Sequence, residues 1–126
     1  MTPLMPLPHM NKETIRIYYN PRCSKCRDTA ALVSERGYNL ELVKYLDTPP
    51  DKEELRSLLA KLGMKPLQLV RKGEDIFKQN YAGRTLNDDE WLDALVAHPV
   101  LIERPIVVRG NKAVVTRPPE KVLDLL

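Results

Sequence analysis

The sequence predicts an α/β fold built on a mixed sheet, and three features of its patterning carry that prediction. A β-branched and aromatic run, a helical stripe and a second apolar run follow one another within about thirty residues, the signature of a βαβ unit. Two further β-branched runs flank a Gly110-Asn111 turn near the C-terminus, a hairpin signal. Between these pairs, from Asp51 to Ala97, the chain shows only helical periodicity.

The first strand is carried by Thr14, Ile15, Ile17, Tyr18 and Tyr19 and ends at the breaker pair Asn20-Pro21. A helix over Ser24 to Arg36 follows, with Cys26, Ala30 and Val33 in register on its core-facing stripe and Gly37 to stop it. Leu40, Leu42, Val43, Tyr45 and Leu46 form the second strand, closed by Thr48-Pro49-Pro50. Strands joined through a helix in this way run parallel with a right-handed crossover. Cys23 then falls at the carboxyl end of the first strand, the edge at which open α/β sheets bind ligands.

From Asp51 onward, Leu55, Leu58, Leu59 and Leu62 repeat at i, i+3, i+4 and i+7, with Asp51, Glu53 and Glu54 in the first turn and Gly63 at the end. Shorter helices are expected over Pro66 to Val70 and Glu74 to Asn80, and a longer one over Asp88 to Ala97 that buries Trp91, Leu92, Leu95 and Val96. These helices make an insert lobe beside the sheet. Ile106-Val107-Val108 and Ala113-Val114-Val115 are the hairpin strands. A final helix, opened by Thr116 to Pro119, turns Val122, Leu123 and Leu126 inward. The order βαβ, helical insert, ββ, α is a thioredoxin-like arrangement with helices on both faces of a mixed sheet. Pro105 enters the third strand where that fold often sets a cis proline beside a reactive cysteine.

With 126 residues the length fits one domain, over 14–126. Residues 1–13 carry Pro3, Pro6 and Pro8, no basic n-region and no continuous apolar core, so they read as a flexible arm and not as a secretory signal. No run approaches the roughly 20 apolar residues of a membrane span. Lys and Arg total 20 against 17 Asp and Glu, and the net +3 is scattered among acidic residues; this balance offers nucleic acid little and suits a small anionic substrate. Two cysteines in C-x-x-C spacing, without an export signal, point to the cytoplasm and to a redox or nucleophilic role. Zinc wants four ligands, and only His9 and His98 could join the pair, so no metal is expected.

Cys23 is the candidate nucleophile. At the mouth of a strand-to-helix turn its thiol meets the free N–H groups of the first helical turn and the positive end of the helix dipole, with Arg22, Lys25 and Arg27 adding charge. Cysteines so placed have pKa values of roughly 3.5–7.5 against about 8.5 for a free thiol. Cys26 lies one turn on, where it either bridges to Cys23 or serves as a small apolar core residue. Arg71, Arg104 and Arg117 all lie at element ends. Guanidinium groups at such turns either converge on a pocket, each presenting a planar fork to a tetrahedral oxyanion, or stand solvated at the surface. Tyr19 and His98 either pack in the core or line the pocket.

The segments Asn20-Pro21-x-Cys23, Arg27-x-Thr29, Tyr45-Leu46-x-x-Pro49-Pro50, Arg71-Lys72, His98-Pro99-x-Leu101-Ile102-x-Arg104-Pro105-Ile106-Val107-Val108 and Arg117-Pro118 together resemble the glutaredoxin-coupled arsenate reductase family. Within it the chain is most similar to the short chromosomal branch, and the likeness runs from Thr14 to Leu126. The resemblance implies that Cys23 attacks arsenate and that Arg71, Arg104 and Arg117 hold the anion and the thiol-arsenate adduct. It further implies glutathione as co-substrate, glutaredoxin as the protein that regenerates the thiol, and no bound cofactor.

The chain departs from the family pattern at two positions. Tyr19 stands where the well-studied enzymes carry a histidine four residues before the nucleophile, and Cys26 where they carry a serine three residues after it. A second thiol there can resolve a Cys23 adduct internally and leave a disulfide for thioredoxin or glutaredoxin to reduce. The C-x-x-C pair also resembles the Spx-type regulators, which bind RNA polymerase and use the pair as a redox switch. A general thiol-disulfide oxidoreductase is the third reading. The retained arginines favour oxyanion chemistry over both.

Overall fold

The computed structural model of the chain describes residues 13–126. Of the arm expected over residues 1–13, all but Glu13 lies outside the described residues. Strand β1 (Thr14–Tyr19) leads into helix α1 (Ser24–Glu35) and strand β2 (Asn39–Lys44). Helices α2 (Lys52–Leu62), α3 (Asp75–Asn80) and α4 (Asp88–Ala97) follow, and the hairpin strands are β3 (Ile106–Arg109) and β4 (Lys112–Val115). Short 3-10 segments occupy Pro66–Leu69, Pro99–Leu101 and Pro119–Asp124.

The sheet has the order β2-β1-β3-β4. β1 pairs parallel with β2, as the intervening helix requires, and antiparallel with β3, so the sheet is mixed. Alternation along β1 divides the interior in two. Ile15 and Ile17 join Val107, Val33 of α1 and Val122 on one face. Tyr18 joins Ile106, Val108 and the insert's Leu55, Leu69, Trp91, Leu95 and Leu101 on the other. Each fully buried aliphatic side chain contributes about 1.5–3 kcal/mol relative to exposure, so both faces depend on this register.

Local chemistry accounts for the helix ends. The Asp51 carboxylate accepts from the Glu54 N–H at 2.8 Å, and Asn87 and Glu90 form a reciprocal capping box at the start of α4. Gly63 ends α2 with φ 67°, a left-handed conformation that a Cβ would strain. Gly110, at φ 59°, opens the two-residue turn between Arg109 and Lys112.

Three expectations from the sequence need correction. Strand β2 stops at Lys44, because a turn follows in which the N–H groups of Asp47 and Thr48 both donate to the Lys44 carbonyl. That turn buries Tyr45 and leaves Leu46 exposed. On α4, Trp91, Leu92, Ala94 and Leu95 fill the buried arc, and Val96 falls past its edge. The last helix is 3-10 from Pro119 to Asp124; a three-residue repeat lines up Pro119, Val122 and Leu125, so Leu123 turns outward and is exposed.

Candidate active site

Cys23 is the N-cap residue of α1, with extended backbone (φ −92°, ψ 118°) and its N–H donating to the Asn20 carbonyl at 2.9 Å. An N-cap side chain faces the unpaired N–H groups of the first turn. The neutral thiol makes no cap bond. The thiolate is favoured nonetheless, and Cys23 is held below its usual range. Burial is the largest single influence and opposes ionisation. It is outweighed by the backbone N–H of Cys26, the Cys26 thiol, the Arg104 guanidinium and the Lys25 N–H acting together. The helix N-terminus therefore acts as the sequence suggests. Arg22, Lys25 and Arg27 do not supply the close cations, because their side chains stand exposed at the surface. Arg104 and Arg117, distant in sequence, take that place.

Cys26 is fully buried, and burial pushes its thiol up to about 11, with the Cys23 sulfur adding to the rise. It is therefore part of the core stripe, and its thiol also donates to its neighbour's sulfur. Both cysteines are free.

The three arginines come together. Arg117 Nη2 lies 3.6 Å from the Cys23 sulfur, and its Nε donates to the Arg104 carbonyl at 2.6 Å. Arg71 Nε donates to Glu74 Oε1 at 3.1 Å, and Arg104 Nη1 stands 3.9 Å from the same oxygen. A single antiparallel bridge between Val70 and Ile102 explains why Arg71 reaches Arg104. Around it the Arg71 N–H donates to the Leu101 carbonyl at 2.7 Å and the Glu103 N–H to the Leu69 carbonyl at 2.9 Å. The insert is thereby stitched to the segment entering β3. Arg117 is held at the other side by a buried contact between the Thr29 and Thr116 hydroxyls, 2.9 Å apart, which ties α1 to the end of β4. The Arg104–Pro105 peptide is cis, as the fold suggests, and so is Arg117–Pro118, which no feature of the sequence marks out.

The remaining candidates separate. Tyr19 packs against the α1 face of the core and lines a cavity of about 360 Å³ with Asn20, Pro21, Arg22, Lys44 and Asp47. His98 meets Tyr81 edge-on, ring centroids 6.0 Å apart, within the insert. Sequence reasoning assigns no role at the site to Glu74, Tyr45, Thr29 or Thr116. The i, i+3 spacing of Glu74 from Arg71 is a local signal of ion pairing; the other three act through contacts that no local pattern reports. Among the described residues no group of three or more His, Cys, Asp or Glu could hold a metal ion, and no helix is long and apolar enough to cross a membrane.

A thiolate at a helix N-terminus, with the Arg104 and Arg117 guanidinium groups at its sulfur and Arg71 joined to them through Glu74, is an arrangement for nucleophilic attack on an anion whose charge must be held. Comparison with known proteins points the same way. The ArsC family matches residues 18–125. A Neisseria meningitidis serogroup B protein named arsenate reductase is 44% identical over 114 residues, 89% of this chain and 97% of its own length. The uncharacterised protein YfgD of Escherichia coli K12 is 46% identical over 114 residues, 89% of this chain and 96% of its own. The solved structure of an arsenate reductase from Vibrio cholerae superposes with a TM-score of 0.88 at 42% identity, covering 92% of this chain and all of that one. On these matches the chain belongs to the ArsC family.

Proposed function

We propose that the protein reduces arsenate to arsenite, with Cys23 as nucleophile and Arg71, Arg104 and Arg117 as the oxyanion site. The observation that supports this most directly is the continuous set of contacts from Arg71 through Glu74 to Arg104, and from Arg104 through Arg117 to the Cys23 sulfur. The relatives that carry the name arsenate reductase support the choice of oxyanion.

In this reading the Cys23 thiolate attacks arsenic and displaces a hydroxyl, which takes a proton from solvent and leaves as water, forming a cysteinyl-arsenate. The guanidinium groups balance the charge on its oxygens without rearranging, which is where preorganised donors are most effective. A second thiol then attacks the Cys23 sulfur. Arsenite leaves with the electron pair, arsenic falls from the +5 to the +3 state, and the two sulfurs are oxidised to a disulfide. Cys26 can be that second thiol by position, but its thiol is pushed up to about 11, so little of it is thiolate at neutral pH. Glutathione from solvent is the favoured attacker, followed by glutaredoxin on the resulting Cys23–glutathione disulfide. Such chemistry needs a reducing compartment, the cytoplasm, and no bound cofactor. An RNA polymerase-binding regulator of the Spx type has no use for the Arg104 and Arg117 guanidinium groups at its sulfur.

The test is a coupled assay of arsenate-dependent thiol oxidation, with glutathione and glutaredoxin in one arm and thioredoxin in the other. Turnover in the first arm, abolished by Cys23→Ser and largely kept by Cys26→Ser, is the expected result. Turnover that survives Cys23→Ser would overturn the nucleophile assignment. Turnover only with thioredoxin, lost in Cys26→Ser, would place Cys26 on the main path.

A further inference from the structure

Two side-chain polar atoms among the described residues are buried with no hydrogen-bond partner, the Tyr45 hydroxyl and Arg104 Nε. They belong to neighbouring groups at the candidate site. We propose that the Tyr45 hydroxyl is a fourth donor of the anion site, giving its hydrogen together with Arg104 Nε–H to one oxygen of the tetrahedral anion held at Cys23. This rests on the anion site described under the proposed function and adds to it a residue outside the three arginines.

An unpaired buried donor is a cost to the folded protein, and native structures hold few. Tyr45 is 1% exposed, its ring fully enclosed in the core of the insert face, so a phenylalanine would fill the same space without an orphaned hydroxyl. The two orphaned atoms come from separate segments, the turn after β2 and the residue before Pro105, so no single local distortion produces both. Each is a donor. Guanidinium has no lone pair to offer, and burial pushes the Tyr45 phenol up to about 12 against the opposing pull of Arg104 and Arg71, so it keeps its hydrogen at working pH. The Arg104 guanidinium lies close enough to the phenol to favour its ionised form by charge and by side-chain contact, yet in the resting geometry neither the Tyr45 hydroxyl nor Arg104 Nε completes a hydrogen bond. Two neighbouring buried groups whose N–H and O–H both lack an acceptor mark a place for an acceptor from outside.

Arg104 fixes where that acceptor sits. The same guanidinium meets the Cys23 sulfur, so an oxygen bound at Nε belongs to a group within reach of the nucleophile. Its Nη1 stands 3.9 Å from Glu74 Oε1, too long a contact to commit the guanidinium to the carboxylate. A neutral hydroxyl donor also discriminates between reagents: it assists an oxyanion and does nothing for a neutral alkylating agent.

The experiment follows iodoacetamide alkylation of Cys23 in the Cys26→Ser protein at increasing arsenate, with and without Tyr45→Phe. Arsenate should protect the parent protein. In Tyr45→Phe the half-protecting concentration should rise about tenfold or more, the loss of one hydrogen bond to a charged group. The arsenate-free alkylation rate, its pH profile and the melting temperature should stay unchanged, or the melting temperature should rise as the orphan is removed. Equal protection of the two proteins would overturn the assignment of Tyr45 while leaving the anion site standing. Parallel loss of protection, arsenate-free reactivity and melting temperature would reduce Tyr45 to a packing residue and also overturn it. Failure of arsenate to protect the parent protein would sink the anion site itself and Tyr45's place in it.

Discussion

Arg117 Nη2 stands 3.6 Å from the sulfur of Cys23, across 94 residues of chain, and it is aimed there by its own other end. Its Nε is pinned to the Arg104 carbonyl at 2.6 Å, so the planar fork has one prong fixed and one presented to the thiol. Lysine keeps the charge but has no second prong in a fixed plane. Arg117→Lys should therefore reduce arsenate turnover about tenfold or more while changing iodoacetamide alkylation of Cys23 less than about threefold. A lysine variant with wild-type turnover would show that charge alone suffices.

The Cys26 thiol favours the Cys23 thiolate as a hydrogen-bond donor, and that contribution can be separated from its reactivity. Serine keeps a donor at the position and alanine removes it. The pH dependence of Cys23 alkylation should stay near the wild-type curve in Cys26→Ser and move to higher pH in Cys26→Ala. Identical curves for the two variants would assign the lowering wholly to the backbone N–H groups and Arg104.

Much of this arrangement is legible in the sequence because it is local. The apolar spacing of α2, its Asp51 cap and Gly63 end, the Gly110-Asn111 turn and the cysteine at the mouth of α1 are each written within a few residues. The burial of Tyr45 is not, since it depends on where β2 breaks, and that is decided by a turn around the Lys44 carbonyl. Val96 and Leu123 mislead for a related reason: apolar identity fixes which residues can be buried, but helix phase and type decide which are. Convergence of the arginines rests on the Val70–Ile102 bridge and the Thr29–Thr116 contact, both between segments far apart in the chain. The family likeness anticipates that convergence, whereas composition and spacing leave it open.

Stability should fall on the alkaline side. Cys26 is a thiol pushed up to about 11 in the folded protein and titrates near 8.5 when unfolded. Between those values the unfolded chain has lost the proton that the folded protein still holds, so unfolding gains as pH rises. Its contribution is fully present below about pH 8.5 and is lost as the pH climbs toward about 11. Urea midpoints should drop between about pH 8 and pH 10.5, and Cys26→Ala should flatten that drop. An unchanged slope in the alanine variant would assign it to other groups, Tyr18 and Tyr45 being the next candidates because both are pushed up to about 12.

The Thr29–Thr116 contact is the one described hydrogen bond between two fully buried side-chain hydroxyls, and it holds the Arg117 segment against α1. Thr29→Val keeps the shape and leaves the Thr116 hydroxyl without its partner. It should cost about 1–3 kcal/mol in urea unfolding, and the double variant Thr29→Val/Thr116→Val should recover much of that loss. Additive losses would mean the hydroxyls act independently.

Glu74 offers its Oε1 to both Arg71 and Arg104, at 3.1 and 3.9 Å, and so lies where an incoming anion would gather the same two cations. All three side chains are largely shielded from solvent, at 27%, 23% and 16% exposure, so the carboxylate is weakly screened and acts on the site at short range. Two effects compete. The carboxylate aims the Arg71 fork, which assists binding, and it repels a second anion, which opposes it. Arg71 is also anchored by its backbone N–H on the Leu101 carbonyl and by the adjoining bridge, so its aim does not depend on Glu74 alone. Repulsion should dominate. Glu74→Gln should lower the KM for arsenate about threefold or more with kcat little changed, and the gain should shrink at high ionic strength. A rise in KM would show that Glu74 chiefly orients Arg71 toward its ligand.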